Sequence, residues 1–179
     1  IDLDAIRNWK ESVVNKLNQG ISQLVKIRKI EVIRGTAKFD SPTQLSVITD
    51  TNNCQTITFD NCIIATGSRS SNISSFPIGH PLIINSTGAL RLREIPERLL
   101  VIGGGYIGLE LGSVYHALGS QVTVVELMPY LLPGADEDLV KPLAQKIRKS
   151  FENIYLSTKV VKVEPDKNEV TVHFEGSDK

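Results

Sequence analysis

The chain has 179 residues, of which 41% are hydrophobic, and its 20 Lys and Arg balance its 20 Asp and Glu, so the formal net charge is zero. This length corresponds to one domain or parts of two, and the composition supplies enough apolar side chains for a core. The balanced charge gives no electrostatic reason to expect nucleic acid or an anionic membrane as a partner, and no apolar run approaches the ~20 residues that span a bilayer.

The first segment has the spacing of an amphipathic helix. Apolar residues recur there in steps of three and four, at Leu3, Ile6, Trp9, Val13, Leu17, Ile21 and Leu24. These steps place them on one stripe of a helix. We expect this stripe to face a hydrophobic core; packing against a coiled-coil partner is the alternative.

Residues 30–65 change to a β pattern. Short stretches rich in β-branched residues (KIEVIRG, AKF, QLSVIT and QTITF) are separated by the turn sequences SPT and DTNN, which predicts a small antiparallel meander. Residues 62–65 are then continuously apolar, as in a strand buried on both faces. This predicted strand ends at Thr66-Gly67-Ser68.

The chain contains 2 cysteines, Cys54 and Cys62. Their spacing fits neither a CxxC pair nor a zinc site. We expect two reduced thiols within strands; a disulfide between them in an oxidising environment is the alternative.

Residues 68–97 are rich in Ser, Pro and Gly and predict a connecting segment, in which Ser86 caps a short helix running through Leu92. We place a domain boundary here, between residues 1–94 and 95–179. From Arg98 onward the pattern predicts the order strand, helix, strand, helix and hairpin.

Two helices are predicted in this second part. The first covers residues 106–118, with a buried face made of Ile107, Leu111, Val114 and Leu118. The second begins at Asp136, but Pro142 predicts either a kink or a later start near Lys141. The segments KVVKVEP and EVTVHF flank DKN and predict a hairpin.

Gly103-x-Gly105-x-x-Gly108 follows an apolar strand and opens the first of these helices. In a dinucleotide-binding βαβ unit, the first glycine allows a tight turn, the second lets the backbone approach a pyrophosphate, and the third lets helix and strand pack closely. The N-terminus of the helix then offers unpaired N–H groups to the phosphates. The alternative is a glycine-rich turn without a ligand.

An acidic residue, Glu126, ends the next predicted strand, about 20 residues beyond the glycines, as the dinucleotide fingerprint requires. A carboxylate there accepts hydrogen bonds from the adenosine ribose and repels a 2′-phosphate. No Lys or Arg occurs in residues 127–134. The sequence therefore favours NAD over NADP.

Two residues of the first helix have open roles. Glu110 is predicted either to contact the nicotinamide end of the cofactor or to be an exposed acid. Tyr106 directly follows the glycines and is predicted either to pack or to cover a flavin as an aromatic lid.

The segment GGGYIGLELGSVYHALGSQVTVVE resembles the dihydrolipoamide dehydrogenases of the class I pyridine nucleotide-disulfide oxidoreductase family, and the resemblance extends outward through FDNCIIATGSR and STGALRLREIPERLLVIGGG to essentially the whole chain. It implies an α/β fold. Residues 1–94 would form the distal part of an FAD-binding domain, as a helix plus antiparallel meander. Residues 95–179 would form a Rossmann-type NAD-binding domain truncated at its end.

The resemblance also implies an activity and its setting. A family member is a cytoplasmic flavoprotein that serves cell redox homeostasis and oxidises dihydrolipoamide, free or on a lipoyl domain, with FAD and NAD. It acts as a homodimer in a 2-oxo acid dehydrogenase complex. The alternatives are another FAD/NAD(P) disulfide oxidoreductase, a soluble pyridine nucleotide transhydrogenase, or a non-catalytic nucleotide-binding module.

Site residues follow from the same resemblance. FAD would contact Ala37, Thr66, Gly67 and Ser68. NAD would contact Gly103, Gly104, Gly105, Tyr106, Ile107, Gly108, Glu110, Glu126 and Val160, the last of which would pack near the adenine.

Other motifs of the family have no counterpart in this sequence: a first GxGxxG for FAD, a redox-active CxxxxC pair and a His–Glu acid–base pair. The resemblance therefore implies an internal fragment that does not turn over alone, with no catalytic residue of its own. His80, His116 and His173 are expected to be surface or structural histidines. Tyr106 stands where many dihydrolipoamide dehydrogenases have an aliphatic residue and glutathione reductases favour tyrosine.

Overall fold

The computed structural model describes residues 1–176, which contain four helices and eight strands. The chain divides into two compact units, one made of Asn8–Ser68 and the other of Ile1–Arg7 with the chain from Arg69 onward. Within residues 1–176, no helix combines the length and the apolar character needed to cross a lipid bilayer. The mixture of helices with antiparallel and parallel sheets confirms the predicted α/β class.

The elements in chain order are α1 (Leu3–Ile27), β1 (Gly35–Ser41), β2 (Gln44–Thr49), β3 (Cys54–Thr58), α2 (Ser86–Leu90), β4 (Arg98–Ile102), α3 (Tyr106–Leu118), β5 (Gln121–Val125), α4 (Glu137–Ser150), β6 (Asn153–Tyr155), β7 (Thr158–Pro165) and β8 (Val170–Gly176).

The unit Asn8–Ser68 contains the predicted meander. Strands β1, β2 and β3 form an antiparallel sheet in that order. β1 pairs with β2 from Gly35 opposite Thr49 to Ser41 opposite Gln44, with an irregularity after Phe39. The short turns between β-rich stretches favour such an antiparallel arrangement of consecutive strands.

Two stretches predicted as strands are not strands. Residues 29–34 lie outside any strand, and so do residues 62–65, where Ile63 is 91% and Ile64 69% exposed. The expectation of a strand buried on both faces is therefore wrong in this structure. A strand needs a hydrogen-bonding neighbour, and no strand within residues 1–176 pairs with either stretch.

Helix α1 forms as predicted, but its apolar stripe is not buried. Trp9 is 70% exposed, Leu17 65% and Ile21 60%, and no residue of the helix is buried. The prediction that this stripe faces a core is wrong for Trp9, Leu17 and Ile21. Only the start of the helix is partly covered, where Ile6 packs against the cluster of Ala89, Leu92 and Tyr115. The spacing of apolar residues specified the helix but not its partner.

The second unit contains a parallel sheet in the order β4-β5-β6. β4 pairs with β5 from Arg98 opposite Gln121 to Ile102 opposite Val125, and β5 pairs with β6 through Thr123–Val125. α3 connects the first pair and α4 the second, as in a Rossmann-type unit. The sequence interpretation missed β6, because three residues are too few to show a period.

The core of this unit lies between the parallel sheet and its helices. Its buried members are Leu109, Val122, Val124, Leu131, Val140, Ile147 and Phe151. A second small cluster, of Ala89, Leu92 and Tyr115, packs at the other end of α3. There the Tyr115 hydroxyl donates to Ala89 O at 2.9 Å.

Helix α3 has the predicted bounds but a different buried face. Its buried residues are Leu109, Gly112 and Tyr115, whereas Ile107 is 45% and Val114 44% exposed. Of the four predicted residues, Leu111 and Leu118 are half-buried and pack against the cluster of Ala89, Leu92 and Tyr115. A Cβ at Gly112 would lie 3.2 Å from the Phe151 ring, so the helix turns its small residue, not its valine, toward the core.

Two predicted helix starts are also corrected. Asn85, not Ser86, caps α2, and its Oδ1 accepts from Gly88 N at 3.0 Å. α4 begins at Glu137, one residue after Asp136, and continues through Pro142, so the alternative start near Lys141 is wrong. Glu137 and Asp138 favour the early start, because acidic residues stabilise the first turn of a helix.

The predicted hairpin is confirmed, with β7 and β8 antiparallel and joined by a turn at residues 166–169. Cys54 and Cys62 are free and exposed. Cys54 lies in β3, as expected, whereas Cys62 lies outside any strand because the predicted strand at residues 62–65 does not form.

Candidate nucleotide site

The glycine-rich loop lies where β4 ends and α3 begins. Gly103 has φ 107°, a left-handed conformation, and its N–H donates to Val125 O at 2.8 Å. Gly105 is the N-terminal cap residue of α3. The loop therefore turns the chain from the end of one strand directly into the first turn of a helix.

The three glycines of the motif have three different environments. At Gly103 a side chain is disfavoured by the positive φ. At Gly108 a Cβ would overlap Gly103 O and lie 3.0 Å from Val101 Cγ1, so the helix and the strand approach too closely for any side chain. At Gly105 nothing lies within 4 Å of a Cβ position, and φ is −76°.

Gly105 is therefore not required by the fold of the described residues. The space at its α-carbon faces the N-terminus of α3, where the first N–H groups have no partner within the helix. The Gly105 N–H itself donates to no acceptor among the described residues. An open cradle of backbone N–H groups at a helix N-terminus fits an anionic pyrophosphate.

Glu126 lies directly after β5 and is only 7% exposed. Its Oε2 accepts from Gly104 N at 2.6 Å and its Oε1 accepts from Met128 N at 2.7 Å. The carboxylate thus fastens the glycine-rich loop to the end of the neighbouring strand. Each oxygen retains a second acceptor position, so the arrangement is compatible with a ribose hydroxyl donor.

Three other predicted NAD residues lie on α3. Tyr106 is 68% and Ile107 45% exposed, and Glu110 is exposed one turn further along. Tyr106 therefore does not contribute to the core described above. All three face solvent near the open cradle, which leaves their predicted contacts to a ligand as predictions.

Val160 lies in β7, half-buried, opposite Phe174 of β8. The start of β7 is held beside Glu126, because Thr158 N donates to Glu126 O at 2.9 Å. The structure thus places the strand that carries Val160 next to the acidic end of β5. Its predicted contact with an adenine stays a prediction.

The residues predicted to contact FAD are not assembled in the same way. Ala37 is exposed in β1, opposite Val47, and Thr66, Gly67 and Ser68 lie in an exposed segment outside any strand or helix. Gly67 has φ 71° and nothing lies within 4 Å of its Cβ position. Within the described residues these side chains and backbone groups do not come together into an enclosed cradle, so their FAD contacts stay predictions.

Two titratable groups with shifted pKa values lie outside the nucleotide site. Burial, with a smaller contribution from Glu94, raises the pKa of Tyr115. On the exposed hairpin, Lys162 and, to a lesser degree, His173 lower the pKa of Glu164, to which both side chains lie within 2.8 Å. His173 is therefore an exposed hydrogen-bond partner of Glu164, in agreement with the surface role expected of it.

A family model described as pyridine nucleotide-disulphide oxidoreductase matches residues 2–179. The chain belongs to this family. FAD and NAD are the cofactors of its members, and the open cradle at Gly105 beside the acidic end of β5 fits the second of these.

The curated relatives give the same family at moderate identity. The chain is 44% identical over 176 residues to a dihydrolipoyl dehydrogenase of Vibrio cholerae. The matched region covers 98% of this chain and 36% of the relative. It is 39% identical over 183 residues to a dihydrolipoyl dehydrogenase of Bacillus subtilis, covering 100% of this chain and 38% of the relative. The chain thus spans little more than a third of the length of these relatives.

A solved structure shows the fold. The HOCl-induced flavoprotein disulfide reductase RclA from Escherichia coli superposes with a TM-score of 0.79 at 31% identity, covering 97% of this chain and 39% of that one. The relatives and this structure confirm the resemblance seen in the sequence and the assignment to oxidoreductases.

The sequence interpretation missed one part of the site, the segment that follows Glu126. Leu132 N donates to Gly104 O at 2.9 Å, and Leu131, 2% exposed, packs so closely that a Cβ at Gly104 would lie 2.6 Å from its Cδ2. The Pro133-Gly134 pair was the available signal, because such a pair marks a tight turn.

Proposed function

We propose that this chain supplies the NAD site of a flavin-dependent dihydrolipoyl dehydrogenase. The proposed reaction oxidises dihydrolipoamide to lipoamide and reduces NAD. The dithiol and the remainder of the flavin site would be provided by parts of the protein other than the described residues. NAD, when bound, accepts the hydride in this chemistry. The residues of this chain bind and orient it.

The observation that carries the proposal is the contrast among the glycines. Gly103 and Gly108 are explained by backbone geometry and close packing, but the fold gives no reason for a glycine at position 105. A ligand that needs the backbone to approach closely gives that reason. The pyrophosphate of a dinucleotide at the N-terminus of α3 satisfies it.

Selectivity for NAD over NADP is proposed from Glu126. Its carboxylate is buried and held by two backbone N–H donors, so it cannot easily turn away from a ribose placed beside it. A 2′-phosphate at that position would be placed beside a carboxylate, without a cationic side chain from residues 127–134 to offset the repulsion.

The setting of the protein is proposed from its relatives. We place it in the cytoplasm as a homodimer that serves a 2-oxo acid dehydrogenase complex, because the curated relatives are dihydrolipoyl dehydrogenases. The division into residues 1–94 of an FAD domain and residues 95–179 of an NAD domain belongs to the same proposal. So do the FAD contacts of Ala37 and of Thr66–Ser68, and we propose further that this chain alone does not turn over.

The experiment that tests the activity uses the full-length, flavin-loaded protein with dihydrolipoamide. Oxidation of the dithiol is measured with NAD and with NADP in parallel reactions. The proposal expects rapid turnover with NAD and little with NADP. Absence of dithiol oxidation together with NADPH-to-NAD hydride exchange would replace it with a transhydrogenase, and reduction of a different disulfide would replace it with a reductase like the structural relative.

A further inference from the structure

The two peptide units on either side of Gly104 are held by the segment 126–135. The Gly103–Gly104 unit donates its N–H to Glu126 Oε2 at 2.6 Å. The Gly104–Gly105 unit offers its carbonyl to Leu132 N at 2.9 Å. Glycine has more intrinsic backbone freedom than any other residue, so these two contacts restrict a segment of three glycines that would otherwise have many accessible conformations.

The bond from Leu132 N to Gly104 O fixes the orientation of the Gly104–Gly105 peptide unit. The described chain contains no cis peptide bond, and in a trans peptide unit the carbonyl and the N–H point to opposite sides. With Gly104 O turned toward Leu132, the Gly105 N–H points away from it and makes no bond within the described residues. It is therefore left free for the cradle at the N-terminus of α3.

Leu132 presents its N–H from an unusual conformation. Its φ is 51°, which is uncommon for a leucine, and a tight turn follows in which Ala135 N donates to Leu132 O at 3.0 Å and Gly134 has φ 96°. The Pro133-Gly134 pair suits such a turn, since proline fixes the first central residue and glycine accepts a positive φ at the second. The turn thus fixes Leu132 in the conformation from which its N–H reaches Gly104 O.

We propose that Leu132 is a positioning residue for the dinucleotide: its backbone N–H holds the Gly104–Gly105 peptide in the one orientation that aims the Gly105 N–H at the pyrophosphate. The inference rests on the proposed NAD site and adds to it a device outside the GxGxxG motif. Holding the peptide before the ligand arrives lowers the entropy lost on binding.

The test compares two substitutions in the full-length, flavin-loaded protein. Leu132→Pro removes the N–H donor and excludes a positive φ. The matched control, Leu132→Gly, also loses the side chain but keeps the donor and tolerates the positive φ. Calorimetric titrations with NAD, with ADP-ribose and with adenosine measure binding apart from turnover.

The proposal expects Leu132→Pro to weaken NAD and ADP-ribose about five- to tenfold, the range that one lost hydrogen bond gives. Leu132→Gly should stay within about twofold of the parent. Adenosine, which has no pyrophosphate, should bind equally to all three proteins. A merely structural role for Leu132 would weaken adenosine as well.

A failure of the positioning role and a failure of the proposed NAD site would give different results. NAD binding by a folded Leu132→Pro protein within about twofold of the parent would overturn the positioning role and leave the NAD site intact. Failure of the parent itself to bind NAD would overturn the NAD site. Should Leu132→Pro not fold, the α-hydroxy acid analogue of leucine (leucic acid) at position 132 replaces the backbone N–H by an ester oxygen and so removes the same donor. The same substitution at Leu127, whose N–H bonds to nothing among the described residues, is its control.

Discussion

Individual residues of the glycine-rich loop separate what the fold needs from what a ligand needs. Gly105 has an ordinary negative φ and open space at its Cβ position. We expect Gly105→Ala to change the free energy of unfolding by less than about 1 kcal/mol, the scale of a changed cap residue. The same substitution should weaken NAD binding at least about tenfold, because a methyl group would stand where the pyrophosphate approaches. Thermal unfolding and calorimetric titration measure the two quantities separately.

The matched variant is Gly108→Ala. Its methyl group would overlap the backbone of Gly103, so we expect a loss of stability of about 1–3 kcal/mol, in the range of overpacked sites. Loss of stability in Gly105→Ala, or none in Gly108→Ala, would show that the roles of the two glycines are assigned the wrong way round.

Glu126 acts on structure as well as on selectivity. Glu126→Gln would leave one of two backbone donors, the buried Gly104 N–H or the part-buried Met128 N–H, facing an amide NH₂ group. An unsatisfied buried donor costs about 1–3 kcal/mol, and we expect that loss in urea denaturation. The control, Glu110→Gln, lies at an exposed position and should change stability by no more than about 0.5 kcal/mol. Equal stability of both variants would contradict the fastening role of Glu126.

At the scale of elements, α4 contains an internal proline. Pro142 cannot donate to Asp138 O, four residues earlier, although the helix runs from Glu137 to Ser150. We expect Pro142→Ala to raise the free energy of unfolding by about 1–2 kcal/mol, since the gained bond is partly offset by a freer unfolded chain. Chemical denaturation measures it, with the exposed Lys141→Ala as control. A destabilised Pro142→Ala would mean that the proline stabilises a bend that the core requires.

Elements with strong local signals could be predicted from the sequence, and those that depend on neighbours could not. The bounds of α3 were predictable because glycines mark both ends, including Gly119 with φ 117°. Its buried face was not, because Gly112 packs against Phe151 from a distant segment. Residues 62–65 look like a buried strand, yet they form none without a strand beside them.

In the candidate site, too, features with a local sequence signal could be predicted and features that depend on distant segments could not. Spacing alone predicted Gly103, Gly105, Gly108 and Glu126 as one group, and the structure brings them together at the end of the parallel sheet. The bond from Leu132 to Gly104 could not be predicted, since a backbone N–H has no sequence signature and the loop between Glu126 and α4 has no period.

The chain as a whole belongs to one family, and its described residues form one candidate nucleotide site. The match to a relative of 44% identity covers 98% of this chain but 36% of the relative. The exposed stripe of α1, with Trp9 70% exposed, is larger than single apolar residues on a surface explain. The described residues account for the nucleotide cradle. The dithiol chemistry belongs to the proposal for the full-length protein.

A calorimetric comparison of NAD and NADP binding to the full-length, flavin-loaded protein tests the nucleotide site and the role of Glu126 together. We predict that NAD binds at least about tenfold more tightly, a difference of about 1.4 kcal/mol. Equal affinities, or tighter binding of NADP, would contradict the role of Glu126. Binding of neither nucleotide would contradict the assignment of the cradle at Gly105.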